Sequence, residues 1–365
     1  GRGDCRAEQR TDRGLRCAGH VRGDARRRAA QRHAPRSPRP RGRPRDASGL
    51  FRLFRRSPDA RLHRGCLWAA LRLCLCSGHA DGRAGAGGIG KVMAEWIVGN
   101  EPPMDLWHMD IRRFGPAYRS PAFTLDRIQE NYEQYYDIHY PLEERQTCRP
   151  HKTSPAYEWH KSNSAVFGEK SSWERVNFYS NHVGSDEIRP FAWAGKNWSN
   201  SVQIEHKATR ESAGIFDESS FAKIEVSGPR AGEFLEFVCA NDVVRGTGRA
   251  IYTQALNSKG GIEGDFTVTQ TAEDKFLIVT GTAFAHHDAG WLKKLRRENG
   301  FEDVSIEDIT EKLAIFGIWG PKAREILQGL TSADLSNDSF PFMHSKEIAI
   351  NGVNIRATRI TYVGE

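Results

Sequence analysis

Two places in the sequence combine residue types that could do chemistry. Residues Gly85–Gly90 have the spacing G-x-G-x-x-G and precede an apolar helical pattern. The free amides and the dipole at such a helix start favour an anionic group. The second place is a glycine-rich turn, 260–265, which ends in Asp265 and lets another group approach the backbone closely. A carboxylate there could hold a cation or accept a proton, although a lone Asp after a turn is more often structural.

The glycine run does not amount to a complete dinucleotide-binding site. That fingerprint requires a strand immediately before it and an acidic residue about twenty positions later. Residues Ser77–Arg83 do not have the pattern of a strand. The helix after the glycines is predicted from its apolar residues, Val92, Met93, Trp96 and Ile97, and from its stop signal at Gly99–Asn100.

Cysteine and histidine spacing gives no support for a metal centre. Five of the seven cysteines precede residue 89, namely Cys5, Cys17, Cys66, Cys74 and Cys76. They lack the paired C-x-x-C geometry of a tetrahedral site, so we predict no metal. Only Cys148 and Cys239 remain, which is typical of a reducing compartment. We therefore expect the bacterial cytoplasm, with the mitochondrial matrix as the alternative.

The charge is divided sharply along the chain. Residues 1–90 contain 22 arginines, no lysine and seven acidic residues, a net charge of +15. Residues 91–365 contain 31 basic and 39 acidic residues, a net charge of −8. The part with a globular composition is acidic, so we predict no nucleic-acid partner. No apolar run approaches the roughly 20 residues that span a bilayer, and we predict no membrane segment.

Residues 1–86 have the composition of a disordered or out-of-frame segment. Lys, Asn, Ile, Met and Tyr are absent from residues 1–88 and then appear within the next thirty. Arg, Ala, Gly and Pro dominate the segment, and its apolar residues follow no period of 2 or 3.6. A GC-rich gene read in the wrong frame explains this composition. An organellar transit peptide or a basic nucleic-acid-binding arm are the alternatives.

An internal repeat with an offset of 92 residues organises the second half of the chain. The residues Gly228-Pro229, Ala231, Leu235 and Asp242 recur as Gly320-Pro321, Ala323, Leu327 and Asp334. Each copy is predicted to be a short strand followed by a helix that begins after Gly-Pro. Between the copies, 251–256, 266–270 and 275–280 predict an antiparallel meander. The fold class is therefore α+β with duplicated halves.

Four segments of the sequence resemble known protein families. The stretch GGIGKVMAEWIVGNEPPMDLWHMDIRRF at 87–114 resembles the end of the flavin domain of dimethylglycine and sarcosine dehydrogenases. The segments FDESSFAKIEVSGPRAGEFL, YTQALNSKGGIEGD and YVGE resemble, in this order, the glycine cleavage T-protein family. The resemblance implies the tail of an FAD-dependent oxidoreductase domain and connecting region at 87–202. It implies a truncated, folate-binding, T-protein-like aminomethyltransferase domain at 203–365.

The resemblance also implies cofactors and site residues. Asp265 matches the family's central acid, Tyr252 a folate-contacting tyrosine, and Glu365 a glutamate that hydrogen-bonds the pterin. Gly88 and Gly90 match amides that lie against the flavin. The expected cofactors are FAD and tetrahydrofolate.

Three residues outside this set have simpler interpretations. Asn257 is interpreted first as a turn residue and second as a site candidate. His286 and His287 are interpreted as surface residues, because adjacent residues cannot share one helical face.

The implied reaction is oxidation of an N-methylglycine, dimethylglycine or sarcosine, with transfer of the one-carbon unit to tetrahydrofolate. The partners would be a small N-methylated amino acid and an electron-transfer flavoprotein or oxygen. A folate-dependent aminomethyltransferase or demethylase without oxidase activity, and a non-enzymatic regulatory subunit, are the alternatives. Because the chain has the pattern of a fragment, little or no activity is expected from it alone.

Overall fold

The computed structural model describes residues 86–99, 102–107, 110, 113–135, 137–138, 143–180 and 200–361. The basic segment, apart from Ala86, and Glu365 lie outside these residues. In the described part, no helix has the length and apolar character needed to cross a membrane.

The first described part, up to residue 180, consists of short helices and one hairpin. Its elements are α1 (Ala86–Gly99), α2 (Pro121–Glu133), α3 (Tyr157–Ser162), β1 (Ala165–Lys170) and β2 (Trp173–Tyr179). Helix α2 begins where its sequence favours a start, because the Ser120 hydroxyl accepts a hydrogen bond from the Phe123 amide and Pro121 occupies the first turn. Strands β1 and β2 pair in antiparallel fashion.

Helix α1 begins earlier than predicted. The glycine run was expected to precede the helix, but the helix includes it from Ala86 onward. Glycines carry no side-chain periodicity, so this boundary was the part of the pattern that the sequence determined least. Of the four apolar residues that predicted this helix, Met93 and Trp96 are buried, Val92 is half-buried and Ile97 is exposed.

The second described part, from residue 200, is built around a five-stranded antiparallel sheet. Its strands are β4 (Ala222–Ser227), β5 (Ala250–Leu256), β6 (Ile262–Ala272), β7 (Lys275–Thr280) and β8 (Ser305–Asp308). They lie in the order β5-β6-β7-β4-β8, which confirms the predicted meander and places β5 at an edge. Two-stranded sheets are formed by β3 (Gly214–Asp217) with β9 (Phe316–Trp319), and by β10 (His344–Ile350) with β11 (Val353–Arg359).

Helices cover one face of the five-stranded sheet. The helices of this part are α4 (Asn200–Glu211), α5 (Ala231–Val238), α6 (Ala285–Glu298) and α7 (Ala323–Gln328). Apolar residues of α5 and α6, such as Phe234 and Leu292, are fully buried against Ile224, Phe276 and Ile278 of the strands. Burying aromatic and branched side chains of this size stabilises a fold by about 1.5–3 kcal/mol each.

The repeated Gly-Pro pairs turn the chain from a strand into a helix in both halves. Gly228 has a φ of +129° and Gly320 a φ of +115°, backbone conformations that residues with a Cβ rarely adopt. A Cβ on Gly228 would lie 2.3 Å from the carbonyl oxygen of Asp303, and one on Gly320 would lie 2.5 Å from that of Thr209. The repeat therefore conserves a backbone geometry that only glycine satisfies.

We predict that Gly228→Ala and Gly320→Ala each destabilise the fold by roughly 1–3 kcal/mol, because strain and a backbone clash add. Gly290→Ala is the control, since Gly290 lies in α6 without positive φ and a Cβ there has open space. That substitution should be neutral or stabilising by up to about 1 kcal/mol. Urea unfolding followed by circular dichroism measures all three, and equal effects would contradict the prediction.

Candidate functional site

The pairing register of β5 and β6 brings two predicted site residues together. Gln254 faces Asp265 and Tyr252 faces Thr267 across the ladder, so Tyr252 and Asp265 are diagonal neighbours on one face. The Tyr252 hydroxyl donates a hydrogen bond to Asp265 Oδ2 at 3.1 Å. Tyr252 is 42% exposed and Asp265 is also exposed, on the face opposite the helices. This face therefore presents a phenol and a carboxylate to a ligand.

The glycine-rich turn before Asp265 is held by Asn257. Asn257 Oδ1 accepts hydrogen bonds from the amides of Lys259 and Gly261, both at 2.9 Å. Its Nδ2 donates to Glu263 Oε1 at 2.9 Å. The first interpretation of Asn257, a turn residue, is confirmed, and its effect is to fix the start of β6.

A cleft of about 610 Å³ runs along the outer edge of β5. Tyr252 and Arg249 line it together with Asn241, Phe342 and Met343. Backbone groups on this strand edge are satisfied locally: the Ala250 amide donates to the Met343 carbonyl, and Asn241 Nδ2 donates to the Tyr252 carbonyl. The cleft is open to solvent, and its lining combines an aromatic ring with polar groups.

The prediction that His287 is a surface residue was wrong. His286 is exposed, but the His287 side chain is only 17% exposed. His287 Nδ1 lies 2.8 Å from Asp288 Oδ1, and its Nε2 lies 3.7 Å from Glu263 Oε2. Successive residues of a helix point about 100° apart, so one of two adjacent histidines turned inward. The Trp107 and His287 rings pack at a steep angle to each other, with centroids 4.7 Å apart.

A second polar cluster joins the hairpin region to the sheet region. His160 Nε2 lies 3.0 Å from Asp217 Oδ2, and His160 Nδ1 lies 2.7 Å from the Tyr179 hydroxyl. Since the carboxylate only accepts, Nε2 carries the proton in neutral His160, and Tyr179 donates to Nδ1. Burial, Glu205 and Asp217 raise the pKa of Tyr179, so its phenol remains a proton donor.

Lys223 is a fully buried cation beside this cluster. Its ammonium donates to the Ser219 carbonyl at 2.7 Å. Burial lowers the pKa of Lys223 from 10.5 to about 8, although the charges of Asp308 and Asp217 oppose that shift. Such a group destabilises the fold while it is charged.

The glycines predicted to face a flavin lie in the first turns of α1. Gly88 is the third residue of the helix, and Gly90 is the fifth. Within the helix, the Gly90 amide faces the Ala86 carbonyl. Among the described residues, nothing lies within 4 Å of a Cβ built at either position.

Metal-binding clusters of three or more His, Cys, Asp or Glu side chains are absent from the described residues. Cys148 and Cys239 are both free thiols. Burial raises the pKa of Cys239 to about 12, so this thiol is not a nucleophile near neutral pH.

Comparison with known families connects these sites to an established domain. The model of the GCVT N-terminal domain matches residues 156–365, more than half of the chain. The chain belongs to this family. The model of the FAD dependent oxidoreductase central domain matches the preceding residues, 100–154. Trp107 therefore lies in the oxidoreductase match and His287 in the GCVT match. Their contact joins the two matched segments of the chain.

Individual relatives confirm the resemblance to the dimethylglycine and sarcosine dehydrogenase family. Mitochondrial dimethylglycine dehydrogenase of Rattus norvegicus is 33% identical over 281 residues, which cover 77% of this chain and 32% of that protein. The formaldehyde-forming 4-methylaminobutanoate oxidase of Paenarthrobacter nicotinovorans is 32% identical, covering 85% and 37%. The chain thus spans about a third of the length of these curated relatives.

One solved structure similar to this chain is the glycine cleavage system aminomethyltransferase T from Bartonella henselae. It shares 29% identity and has a TM-score of 0.41. The similar region covers 53% of this chain and 46% of that one.

Several polar residues near these sites had no distinguishing signal in the sequence. Lys223 and Glu225 are two positions apart in β4, with apolar residues between and after them, a pattern that normally places both charged side chains on a solvent-exposed face. His160, Asp217 and Arg249 are isolated in the sequence and meet their partners only after folding. The adjacent histidines 286–287 stood out in the sequence, but the sequence did not show that one of them, His287, would be half-buried.

We predict that Asp288→Ala destabilises the fold by about 2–4 kcal/mol, because it leaves the buried Thr280 hydroxyl and the half-buried His287 ring without their acceptor. Asp288 is 1% exposed and accepts hydrogen bonds from Thr280 Oγ1 at 2.7 Å and from His287. Asp338→Ala, at an exposed position, is the control. Urea unfolding provides the measurement, and a loss no larger than that of the control would show that the carboxylate is dispensable.

A second prediction concerns the pH dependence of stability. Between about pH 8 and 10.5 the unfolded chain binds a proton at Lys223 that the folded chain lacks, so this group makes stability rise with pH by up to about 3 kcal/mol. Lys223→Met should remove that rise. Above the ordinary pKa of a cysteine, the raised pKa of Cys239 makes stability fall as pH rises. This effect is the same in the unaltered chain and in Lys223→Met. The difference between their urea-unfolding free energies therefore isolates Lys223, and a difference constant with pH would contradict the prediction.

Proposed function

We propose that this chain contributes the folate-binding part of an FAD-dependent enzyme that oxidatively demethylates an N-methylated amino acid, dimethylglycine or sarcosine. The one-carbon unit would pass to tetrahydrofolate. The observation that carries the proposal is the Tyr252–Asp265 hydrogen bond on an exposed sheet face beside the β5 cleft. Because the chain spans about a third of its relatives, its activity in isolation is proposed to be low or absent.

Asp265 has the chemistry that the transfer step requires. Oxidation of an N-methyl amine yields a cationic iminium. One folate amine would add to its carbon and lose a proton, and the second folate amine would then displace the demethylated amino acid, which takes up a proton and leaves as an amine. A carboxylate next to the reacting carbon stabilises the cation and accepts the proton of the first folate amine. The Tyr252 hydroxyl holds Asp265 by donating a hydrogen bond to it, while the tyrosine ring offers a flat surface for a pterin. Glu365 is proposed as a further pterin contact.

The flavin step is assigned to the part of the protein that precedes the sheet region. FAD, when bound, supplies the hydride acceptor for oxidation of the N-methyl carbon. Glycines in the first turns of α1 let a neighbouring group approach the backbone closely, and among the described residues nothing lies within 4 Å of a Cβ built at Gly88. We assign Gly88 and Gly90 to that contact.

The electron acceptor and the cellular compartment can be proposed as well. The final electron acceptor is proposed to be an electron-transfer flavoprotein or oxygen. The free thiols Cys148 and Cys239 support a reducing compartment, the bacterial cytoplasm or the mitochondrial matrix.

Anaerobic calorimetric titration of the 365-residue chain with tetrahydrofolate tests the folate assignment. Tyr252→Ala should weaken binding about tenfold or more, because it removes the ring and the hydrogen bond to Asp265. Tyr252→Phe retains the ring and should weaken it less. Asp338→Asn, an exposed acidic residue elsewhere, is the matched control and should bind as the unaltered chain does.

Two outcomes would redirect the proposal. A chain that fails to bind tetrahydrofolate saturably, while its circular dichroism is that of a folded protein, would remove the folate assignment. Tight folate binding by a full-length homologous protein that carries no yellow chromophore would favour a folate-dependent transferase without oxidase activity.

A further inference from the structure

Glu263 is the extra residue of a β-bulge at the start of β6. Gly264 pairs with Ala255 of β5, whereas Ile262 already pairs with the following residue of β5, so the ladder passes over Glu263. A bulge re-aims the side chain that it carries and shifts the register of the strand beyond it by one residue. Asp265 lies two residues after the bulge, so its place on the exposed face depends on this bulge.

The Glu263 carboxylate is held from two sides. From the loop between β5 and β6, Asn257 Nδ2 donates a hydrogen bond to Oε1 at 2.9 Å. From the first turn of α6, His287 Nε2 lies 3.7 Å from Oε2. Asn257 belongs to the loop that the bulge closes, whereas His287 belongs to a helix that packs on the core. His287 is therefore the contact that ties the bulge to the body of the sheet region.

The His287 ring is itself fixed by a buried neighbour. Asp288 Oδ1 lies 2.8 Å from Nδ1, and because a carboxylate only accepts, Nδ1 carries a proton and donates it. Asp288 is 1% exposed, and its other oxygen accepts a hydrogen bond from Thr280 Oγ1 at 2.7 Å. The Nε2 edge of the ring is thereby directed toward Glu263, where a second proton makes the ring a cation between two carboxylates.

Trp107 is the neighbour of His287 that comes from the oxidoreductase match. Its ring centroid lies 4.7 Å from that of His287. Glu263, Asp265 and His287 all lie in the GCVT match. A ring that packs against an indole has fewer rotamers available, so Trp107 helps to keep His287 at the bulge. A chain of contacts therefore leads from the oxidoreductase match to the acid on the exposed sheet face.

We propose that His287 is a positioning residue for Asp265. It acts through the Glu263 bulge, which sets the register that leaves Asp265 beside Tyr252, and Trp107 keeps the histidine ring in place. This inference rests on the proposed function, because the role of Asp265 in one-carbon transfer is assigned there. Packing of the oxidoreductase segment against the start of α6 thereby controls the acid that serves the folate reaction.

Amide hydrogen exchange of the 365-residue chain, followed by mass spectrometry, tests the positioning role without a ligand. An Asn side chain reaches only as far as Nδ1 of a histidine, whereas Gln reaches as far as Nε2. His287→Asn should therefore keep the contact with Asp288 and lose the contact with Glu263. Exchange at residues 257–265 should accelerate about fivefold or more in this variant and less in His287→Gln. His286→Asn is the matched control, since His286 is exposed, and it should leave this exchange unchanged.

Trp107→Ala tests the link to the oxidoreductase segment. It should accelerate exchange at 257–265 about twofold or more, because the His287 ring loses its packing partner. Met104→Ala is the matched control, an exposed residue of the same segment, and should have no effect there. The link is wrong if Trp107→Ala exchanges as slowly at 257–265 as the unaltered chain. Equal acceleration in β10 and β11 would indicate a general loss of stability and overturn the positioning role.

Binding of tetrahydrofolate, measured by anaerobic calorimetry, tests whether the bulge acts on Asp265. If His287 acts through Asp265, His287→Asn should raise the Kd about threefold or more in the chain that retains Asp265. The same substitution should have little effect in the Asp265→Asn chain, because the group that it positions is already altered. Equal increases in both backgrounds would show that His287 only supports the fold, and would contradict the proposal.

The remaining outcomes separate this inference from the proposed function. If the unaltered chain does not bind tetrahydrofolate, the folate assignment fails, and the exchange at 257–265 alone decides whether His287 holds the turn that carries Asp265. If the chain binds tetrahydrofolate and His287→Asn changes neither that exchange nor the Kd, the positioning role fails while folate binding stands.

Discussion

The register between β5 and β6 is the constraint on which the candidate site depends. Side chains alternate between the two faces of a sheet, so a slip of one residue in either strand would move Tyr252 or Asp265 to the helix-covered face. The observed register places Thr253 and Phe266 in the core and leaves the phenol and the carboxylate together on the opposite face. Packing of the apolar residues against α5 and α6 is therefore what specifies the polar pair on the other side.

The strand edge has a second consequence for the site. Because β5 is the outermost strand of its sheet, its backbone groups need other partners, and Met343 and Asn241 supply them. These contacts stop the edge from pairing with another strand and leave a cleft between the partners. Arg249 and Tyr252 line this cleft because they flank the point where the edge meets the β10 region.

Buried polar groups join the segments of the chain that differ in family match. Within the GCVT match, the Tyr179–His160–Asp217 cluster links the β1–β2 hairpin to β3. Across the two matches, Arg149 pairs with the buried Glu174 of β2, and Trp107 contacts His287 at the start of α6. A buried polar group without partners costs free energy, so each cluster favours the one arrangement that satisfies its members. The segment that matches the oxidoreductase central domain is thereby packed on the segment that matches the GCVT domain.

The sequence by itself determined the α+β class, the meander, the Gly-Pro repeat and the candidacy of Asp265 and Tyr252, because periodicity, turn residues and family motifs are local properties of the chain. It did not determine that α1 includes its glycine run, that His287 turns inward, or that Lys223 is fully buried. Nor did it show that Arg249 would meet His344, 95 residues away. Burial and partnership across such separations arise only when strands and helices pack, so the tertiary structure alone decided them.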